Sequence, residues 1–203
     1  MVRKSVEFVA LLTGLFSLAT FIYKLALGIY SNSLVLIIAS ISTLAVAICK
    51  LTFAKTATKK RIEKKKAYLV MAIASTIYVA IFMLFVVLKI NGIDISSQKT
   101  YSGLLGAILI GLMVIMFVLS TIKLRGALEK TDLMVIGLKE VIFISALSDL
   151  VIIENYAYGM FLNYYGDHIF LITIDKYIAL AVGVIMVIVI LIMYIRCARY
   201  KVE

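Results

Sequence analysis

The sequence predicts an all-α polytopic membrane protein, a six-helix transmembrane bundle with both termini in the cytoplasm. Three observations lead to this fold class. Six apolar stretches each reach about 20 residues, the length at which one helix crosses a hydrocarbon layer roughly 30 Å thick. Hydrophobic residues make up 64% of the 203 residues, and the mean hydropathy is +1.12. Basic residues are concentrated in alternate connections between the stretches.

The six spans are predicted in chain order, with connections too short for a folded domain, so residues 1–203 form one domain. The first span follows Arg3 and Lys4. It is interpreted as retained, because its apolar run is too long for a cleaved signal peptide and no small-x-small site follows it. Proline is absent, so no helix carries the usual break. The spans lie at about 6–28, 33–54, 68–90, 102–122, 133–155 and 177–195.

Small residues at four-residue spacing accompany most of these spans. Residues four apart share one face of a helix, and small side chains allow close approach of two helices in lipid. The stripes predict a compact bundle, and they offer a face for a homo-oligomer or a protein partner. They are Ala10-x3-Gly14, Ala39-x3-Thr43-x3-Ala47, Ala72-x3-Thr76-x3-Ala80, Gly103-x3-Ala107-x3-Gly111 and Ala179-x3-Gly183.

The distribution of basic residues predicts the orientation. Sixteen of the 21 Lys and Arg residues fall before the first span, from the last turn of the second span to the start of the third, between the fourth and fifth, or around the end of the sixth. Cytoplasmic segments of membrane proteins carry such an excess. An even number of spans returns the chain to its starting side, so both termini are predicted to face the cytoplasm from the plasma membrane.

The net charge of +10 mainly reflects this asymmetry. The densest basic run, residues 59–66, lies beside the predicted membrane surface, where each Lys or Arg contributes about 1 kcal/mol to the attraction of anionic headgroups. Membrane lipid is therefore the predicted partner and nucleic acid is not, although a dedicated partner site stays open. The headgroup candidates are Lys59, Lys60, Arg61, Lys64, Lys65 and Lys66.

Cys49 and Cys197 fall at predicted cytoplasmic helix ends. Thiols stay reduced on that side, so no structural disulfide is expected. Neither cysteine has a CxxC partner or a nearby His, which argues against a thiolate metal site. No metal or other cofactor is expected.

Charged residues inside the fifth span are the strongest functional signal, because such groups are costly in lipid and are usually paired or functional. Lys139 lies about 10 Å from the inner boundary and is predicted to reach it. Glu140 has a shorter stem, so it needs a partner from another helix or has to be protonated. Asp149 lies one turn after Ser145. Structural pairing and a proton or cation route both stay open, with candidates Lys139, Glu140, Asp149 and Glu154.

The outer ends of the helices are predicted to carry an acidic rim that attracts cations. Solvated surface carboxylates give the same pattern, so both interpretations stay open. The rim consists of Asp94, Glu154, Asp167, His168 and Asp175.

The segment 21–34 reads Phe-Ile-Tyr-Lys-Leu-Ala-Leu-Gly-Ile-Tyr-Ser-Asn-Ser-Leu. It resembles the first loop of cation diffusion facilitators, in which a lysine-containing first helix runs into a Gly-Ile-x-Ser-x-Ser-Leu turn. Six helices with cytoplasmic termini also resemble that family. The resemblance implies a shared bundle, and it implies a divalent-metal site on the second and fifth helices.

The metal ligands that the resemblance implies are missing. Residues 39–46 of the second span contain no carboxylate or imidazole, and the fifth keeps only Ser145-x3-Asp149. One carboxylate does not make a zinc site. The whole chain resembles small, uncharacterised six-helix bacterial membrane proteins, a likeness that implies a fold but no activity.

The sequence does not predict an enzyme. Nucleophilic catalysis requires Ser or Cys beside a base, and the one His lies in a loop. The favoured function is a non-catalytic membrane subunit that binds a partner or lipid. The alternative is a small-solute or cation transporter, proton-linked through the fifth helix.

Overall fold

The protein is described here by a computed structural model, which places the backbone at residues 2–30, 34–56, 58–91, 103–129, 132–165 and 169–200. Side chains are described at these positions except 2–6, 35, 103–110, 112–113, 116, 152–153 and 155–175. Within these backbone ranges the protein is all-helical with six helices, as predicted. In chain order they are α1 (Val2–Tyr30), α2 (Leu34–Thr56), α3 (Arg61–Ile90), α4 (Gly103–Leu128), α5 (Leu133–Tyr165) and α6 (Ile169–Arg199).

Over the described residues, four helices are long and apolar enough to cross a membrane, namely α1, α2, α3 and α6. Their candidate spans are Glu7–Tyr30, Leu36–Thr56, Arg61–Ile90 and Lys176–Arg199. These match the first, second, third and sixth predicted spans. The fourth and fifth spans fall on α4 and α5 and stay predictions.

Several helices extend beyond the predicted spans. α3 begins at Arg61 rather than near 68, α5 ends at Tyr165 rather than near 155, and α6 begins at Ile169 rather than near 177. Hydropathy marks only the apolar part of a helix. The backbone hydrogen bonds continue through adjoining polar turns, because Lys, Arg and Glu are good helix formers.

Two helix ends have side-chain caps. Asn91 ends α3, since its backbone N–H and its side-chain amide both donate to the Val87 carbonyl, at 3.1 and 2.8 Å. Asp132 precedes α5, and its Oδ1 accepts a hydrogen bond from the Met134 backbone N–H at 3.0 Å. Such caps satisfy backbone groups that a helix end leaves without partners.

The helices pack as a central group of four with one helix on each flank. Over the described residues, α1 packs only against α2, and α4 packs only against α5. α2 crosses α5, α3 crosses α6, and α5 also contacts α3 and α6. α5 therefore has the most neighbours. The largest fully buried side chains include Tyr68, Met71, Tyr78, Phe82, Met134, Ile144, Met186 and Met193.

Glycines bring α1 and α2 close together. A Cβ on Gly28 would lie 2.9 Å from Ile37 Cγ1 and 3.0 Å from the Ile37 backbone nitrogen. A Cβ on Gly14 would lie 3.0 Å from Leu51 Cδ2. The α1–α2 hairpin therefore depends on both glycines.

The predicted small-residue stripes are only partly covered. The stripe residues Ala10, Gly14, Ala39, Ala47, Ala72, Ala179 and Gly183 are buried. Ala80 on α3 is exposed, and a Cβ on Gly111 of α4 would meet nothing within 4 Å. The side chain of Ala107 and the surroundings of Gly103 lie outside the described part of the chain.

Candidate functional site

One end of the bundle carries most of the basic residues and is called the basic end. It comprises the starts of α1, α3 and α5 and the ends of α2, α4 and α6. Lys64 at the start of α3 forms an ion pair with Asp132 at 2.9 Å. Lys65 donates a hydrogen bond to the Tyr200 carbonyl, after α6, at 3.0 Å. These contacts join α3 to the cap of α5 and to the end of α6.

The six headgroup candidates at the basic end fall into two groups. Lys64 and Lys65 are half-buried and bond within the chain. The other four are exposed to solvent, namely Lys59, Lys60, Arg61 and Lys66. The exposed group is therefore the part of the run that can contact a membrane surface.

Glu140 lies at the centre of the first polar cluster on α5. Its side chain is 3% exposed. The Tyr68 hydroxyl, on α3, donates to Glu140 Oε2 at 2.7 Å, and the Arg196 guanidinium, on α6, pairs with Glu140 Oε1. We call Glu140, Tyr68 and Arg196 the carboxylate cluster. It joins α3, α5 and α6 near the basic end.

Local sequence explains how the carboxylate cluster forms. Gly137 lies about one turn before Glu140, and a Cβ there would come within 2.6 Å of Tyr68 Cδ2. The missing side chain leaves room for the Tyr68 ring, whose hydroxyl then reaches the carboxylate. Tyr68 is fully buried, and a buried phenol needs a hydrogen-bond partner. Both oxygens of Glu140 have partners, so this carboxylate is enclosed by groups of this chain.

A second polar cluster lies where α2, α3 and α5 meet. The Ser42 and Ser145 hydroxyl oxygens are 3.4 Å apart. Tyr78, on α3, lies beside Ser42 and Ser148 and interacts electrostatically with Asp149. We call these five residues the hydroxyl cluster. Tyr78 Oη and Ser148 Oγ are shielded from solvent, and neither makes a hydrogen bond of good geometry.

Lys24 of α1 is a positively charged residue that interacts with the hydroxyl cluster. Its ammonium donates a hydrogen bond to Thr43 Oγ1 at 3.3 Å and attracts the Asp149 carboxylate electrostatically. Thr43 follows Ser42 on α2, which brings Lys24 close to the meeting point of α2 and α5. The cluster therefore has a cation beside it but contains buried hydroxyls without good partners.

Glu140 and Asp149 lie on opposite sides of α5, although α3 contributes a tyrosine to each cluster. Glu140 and Asp149 are nine residues apart, which corresponds to about 13 Å along the helix and to about half a turn around it. Glu140 contacts α3 and α6, whereas Asp149 interacts with Lys24 and Tyr78. Val141, Ile144 and Leu147 are buried between them. The clusters are therefore separate sites.

The other two charged candidates lie apart from both clusters. Lys139 is half-buried, and its charge repels that of Lys50 on α2. Glu154, toward the opposite end, lies 3.6 Å from the Lys89 ammonium. Of the predicted acidic rim, Glu154 is therefore paired within the chain. Asp94, Asp167 and His168, together with the side chain of Asp175, lie outside the described residues.

Sequence reasoning missed the partners that α5 finds on other helices. Tyr68, Ser42 and Tyr78 are uncharged, and their spacing along α2 and α3 did not indicate that they contact α5. Arg196 was used only to predict the orientation, although Glu140 on α5 was expected either to have a partner from another helix or to be protonated. That requirement was the one signal that pointed to it. Lys50 was likewise counted only among the basic residues.

Metal-ligating side chains do not form a group in the part of the chain that the structure describes. No three His, Cys, Asp or Glu side chains come together there. Cys49 and Cys197 are both buried and form no disulfide. Asp149 is the one carboxylate among the five residues of the hydroxyl cluster.

No family model, no curated protein and no solved structure matches this chain. The likeness of the first turn to cation diffusion facilitators thus rests on residues 21–34 themselves.

Proposed function

We propose that this chain is a non-catalytic integral membrane subunit that binds a partner protein or lipid. In this proposal all six helices cross the plasma membrane, and the basic end faces the cytoplasm with both termini. The bundle is a cation-diffusion-facilitator-like scaffold that has lost its metal ligands. The polar groups inside the bundle stabilise the packing of its helices, and the outer surfaces contact lipid or other proteins.

The observation that carries the proposal is the enclosed state of Glu140. A transport route along α5 requires its charged groups to face a common path. Glu140 instead has both oxygens occupied by Tyr68 and Arg196, on the opposite side of α5 from Asp149. A buried ion pair with its hydrogen bonds satisfied is a structural element.

The flanking helices support a binding role. α1 packs only against α2 over the described residues, and much of its remaining surface consists of exposed apolar side chains. These include Phe8, Leu12, Phe16 and Ile22. In a bilayer such a face contacts lipid or the helix of another protein.

Reconstitution tests the absence of transport. The purified protein is incorporated into liposomes loaded with a pH-sensitive dye, and proton flux is measured with and without Na⁺ or K⁺ gradients. We expect flux equal to that of protein-free liposomes. Flux above that level that disappears in Asp149→Asn would overturn the binding-subunit proposal.

Topology is tested separately in cells. Reporter tags at residues 1 and 203, together with a cysteine-labelling site in the 59–66 run, should all report the cytoplasmic side. Tags on opposite sides would contradict the proposed orientation.

A transporter is the second candidate, and one observation favours it. The hydroxyl cluster holds Asp149 beside buried Tyr78 and Ser148 hydroxyls without good hydrogen bonds. Polar groups in this state are costly in an apolar interior, and ionisable residues inside membrane spans are often functional. If this candidate holds, Asp149→Asn abolishes proton-coupled flux, whereas Glu140→Gln lowers stability and leaves the flux per folded protein unchanged.

A further inference from the structure

Tyr78 of α3 holds a hydroxyl in the interior of the bundle that makes no hydrogen bond of good geometry with a described group. The residue is 2% exposed, and its Oη atom is shielded from solvent. Its ring lies against that of Phe82, with the two centroids 6.4 Å apart, which limits where the hydroxyl can turn. A buried phenol normally has a partner, so the Tyr78 proton needs an acceptor at this place.

Ser148 of α5 is a second buried donor in the same state. It is fully buried, and its Oγ makes no hydrogen bond with a described group. Other helical hydroxyls of the bundle donate to a carbonyl one turn earlier, as Ser75 does to Met71 and Thr43 does to Ala39, both at 2.9 Å. Ser148 does not use this common route. Its proton is therefore available to another acceptor.

The Ser42 and Ser145 hydroxyls supply acceptors at the same place. Ser42 donates its own proton to the Ala39 carbonyl at 3.0 Å. Its oxygen lies 3.4 Å from that of Ser145, so Ser145 is the donor in that contact. A hydroxyl oxygen has two lone pairs, and both serines therefore keep the capacity to accept. Tyr78 lies beside Ser42 and Ser148, which brings the free donors to these acceptors.

A water molecule matches this set of groups. It accepts two hydrogen bonds and donates two, and a buried water typically makes about three bonds to groups that otherwise lack partners. A metal cation does not match, because it cannot accept the protons of Tyr78 and Ser148 and would leave both donors without a partner.

The charges beside the cluster also favour a neutral ligand. Asp149 follows Ser148 on α5, and the Lys24 ammonium attracts its carboxylate. One negative and one positive charge balance each other there. An added cation would upset this balance, whereas water leaves it unchanged.

We propose that the hydroxyl cluster binds a water molecule between α2, α3 and α5. The water accepts hydrogen bonds from Tyr78 and Ser148, and it donates to the oxygens of Ser42 and Ser145. Immobilising the water offsets much of what its hydrogen bonds contribute, so the site hydrates the interior without adding much stability. This inference goes beyond the proposed function, because it holds for a binding subunit and for a transporter alike.

Radiolytic footprinting of the purified protein in detergent micelles tests the site. X-rays generate hydroxyl radicals from water, including water bound inside a protein, and tandem mass spectrometry locates the oxidised side chains. Tyr68 is the matched control, because it is also a buried tyrosine on α3 but donates to Glu140. In isotopically labelled water we expect Tyr78 to gain labelled oxygen and Tyr68 to gain none. Equal labelling of the two tyrosines would overturn the proposal.

Replacing a cluster serine tests the position of the water. Ser148→Val removes one donor and fills its place with methyl groups, so we expect the labelling of Tyr78 to be lost. Ser75→Val makes the same change at a buried serine that already donates to a carbonyl, and it should leave Tyr78 labelled. Thermal unfolding shows whether each variant folds, and the wild-type comparison of the two tyrosines needs no variant. Labelling that persists in folded Ser148→Val, or is lost equally in Ser75→Val, would contradict the assigned site.

A salt comparison separates water from a bound ion. The Tm is measured in sodium chloride and in choline chloride at equal ionic strength. We expect the same Tm in both, because a water site requires no cation. A higher Tm in sodium chloride that disappears in Asp149→Asn would show that the cluster binds Na⁺ and would overturn the proposal.

Discussion

The carboxylate cluster and the hydroxyl cluster both include residues of α5, but they differ in how completely their buried polar groups are hydrogen-bonded. Around Glu140, each oxygen has a partner, from Tyr68 and from Arg196. Around Asp149, the buried Tyr78 and Ser148 hydroxyls lack hydrogen bonds of good geometry, and the Lys24 ammonium bonds to Thr43. A polar group inside a helical bundle stabilises it only when its partners are complete. The first cluster therefore joins α3, α5 and α6 through satisfied polar contacts, whereas the second contains buried hydroxyls without such contacts.

Removing Arg196 should have the largest effect on this contrast. Arg196→Met leaves the Glu140 carboxylate buried without its cation, and breaking such a pair costs about 3–5 kcal/mol. The free energy of unfolding in mixed detergent and SDS micelles measures the loss. The double variant Glu140→Gln with Arg196→Met should recover most of it, because no uncompensated charge remains. A double variant as unstable as Arg196→Met alone would show that Arg196 stabilises the bundle by contacts other than its ion pair with Glu140.

Two tyrosines on α3 provide a matched pair for the next effect. Tyr68→Phe removes a hydrogen bond to a carboxylate and should cost about 1.5–3 kcal/mol. Tyr78→Phe removes a hydroxyl without a good partner and should change the unfolding free energy by less than about 0.5 kcal/mol. The same unfolding assay compares them. Equal losses would mean that the hydroxyl cluster is as well bonded as the carboxylate cluster.

Gly137 tests whether the Tyr68 ring has room to move. Gly137→Ala places a Cβ within 2.6 Å of that ring, and overpacking of this kind costs about 1–3 kcal/mol. Gly111→Ala on α4 is the control, because a Cβ there meets nothing within 4 Å; it should gain up to about 1 kcal/mol of helix stability. If Gly137→Ala is as stable as the control, the ring is not confined.

The smallest effect is expected at the surface of the basic end. Lys64 pairs with Asp132, whose side chain is 41% exposed. Solvent-exposed pairs contribute less than about 1 kcal/mol, so Lys64→Gln should lower the Tm only slightly and the difference should shrink at high salt. A large, salt-independent loss would place this contact among the buried ones.

Helix number and order were predictable because they depend on local properties. An apolar stretch such as residues 33–54 predicts a helix from its own composition, and α2 occupies Leu34–Thr56. The ends were less predictable. α3 begins at Arg61, about seven residues before the predicted span, because its first turns are charged and hydropathy does not identify them as helix.

The candidate residues on α5 were predictable in part. The cost of burying Glu140 already called for a partner on another helix. Its identity was not readable, since Tyr68 and Arg196 are distant in sequence and have no pattern that points to α5. Asp149 and Ser145 were expected on one face, but the positions of Tyr78 and Ser42 beside them depend on how α2, α3 and α5 cross.

The sequence by itself predicted six helices and six membrane spans, and it placed the positive charge at alternate connections. Over the described residues, four of those helices are long and apolar enough to cross a membrane. Each of these follows from hydrogen bonds within a helix and from hydropathy along it. Only the tertiary structure decided that Glu140 is enclosed by Tyr68 and Arg196, that Asp149 lies near Tyr78 and Lys24, and that Lys50 donates a hydrogen bond to Ser17 of α1. Those outcomes depend on which helix faces meet, and helix packing joins residues that the chain keeps far apart.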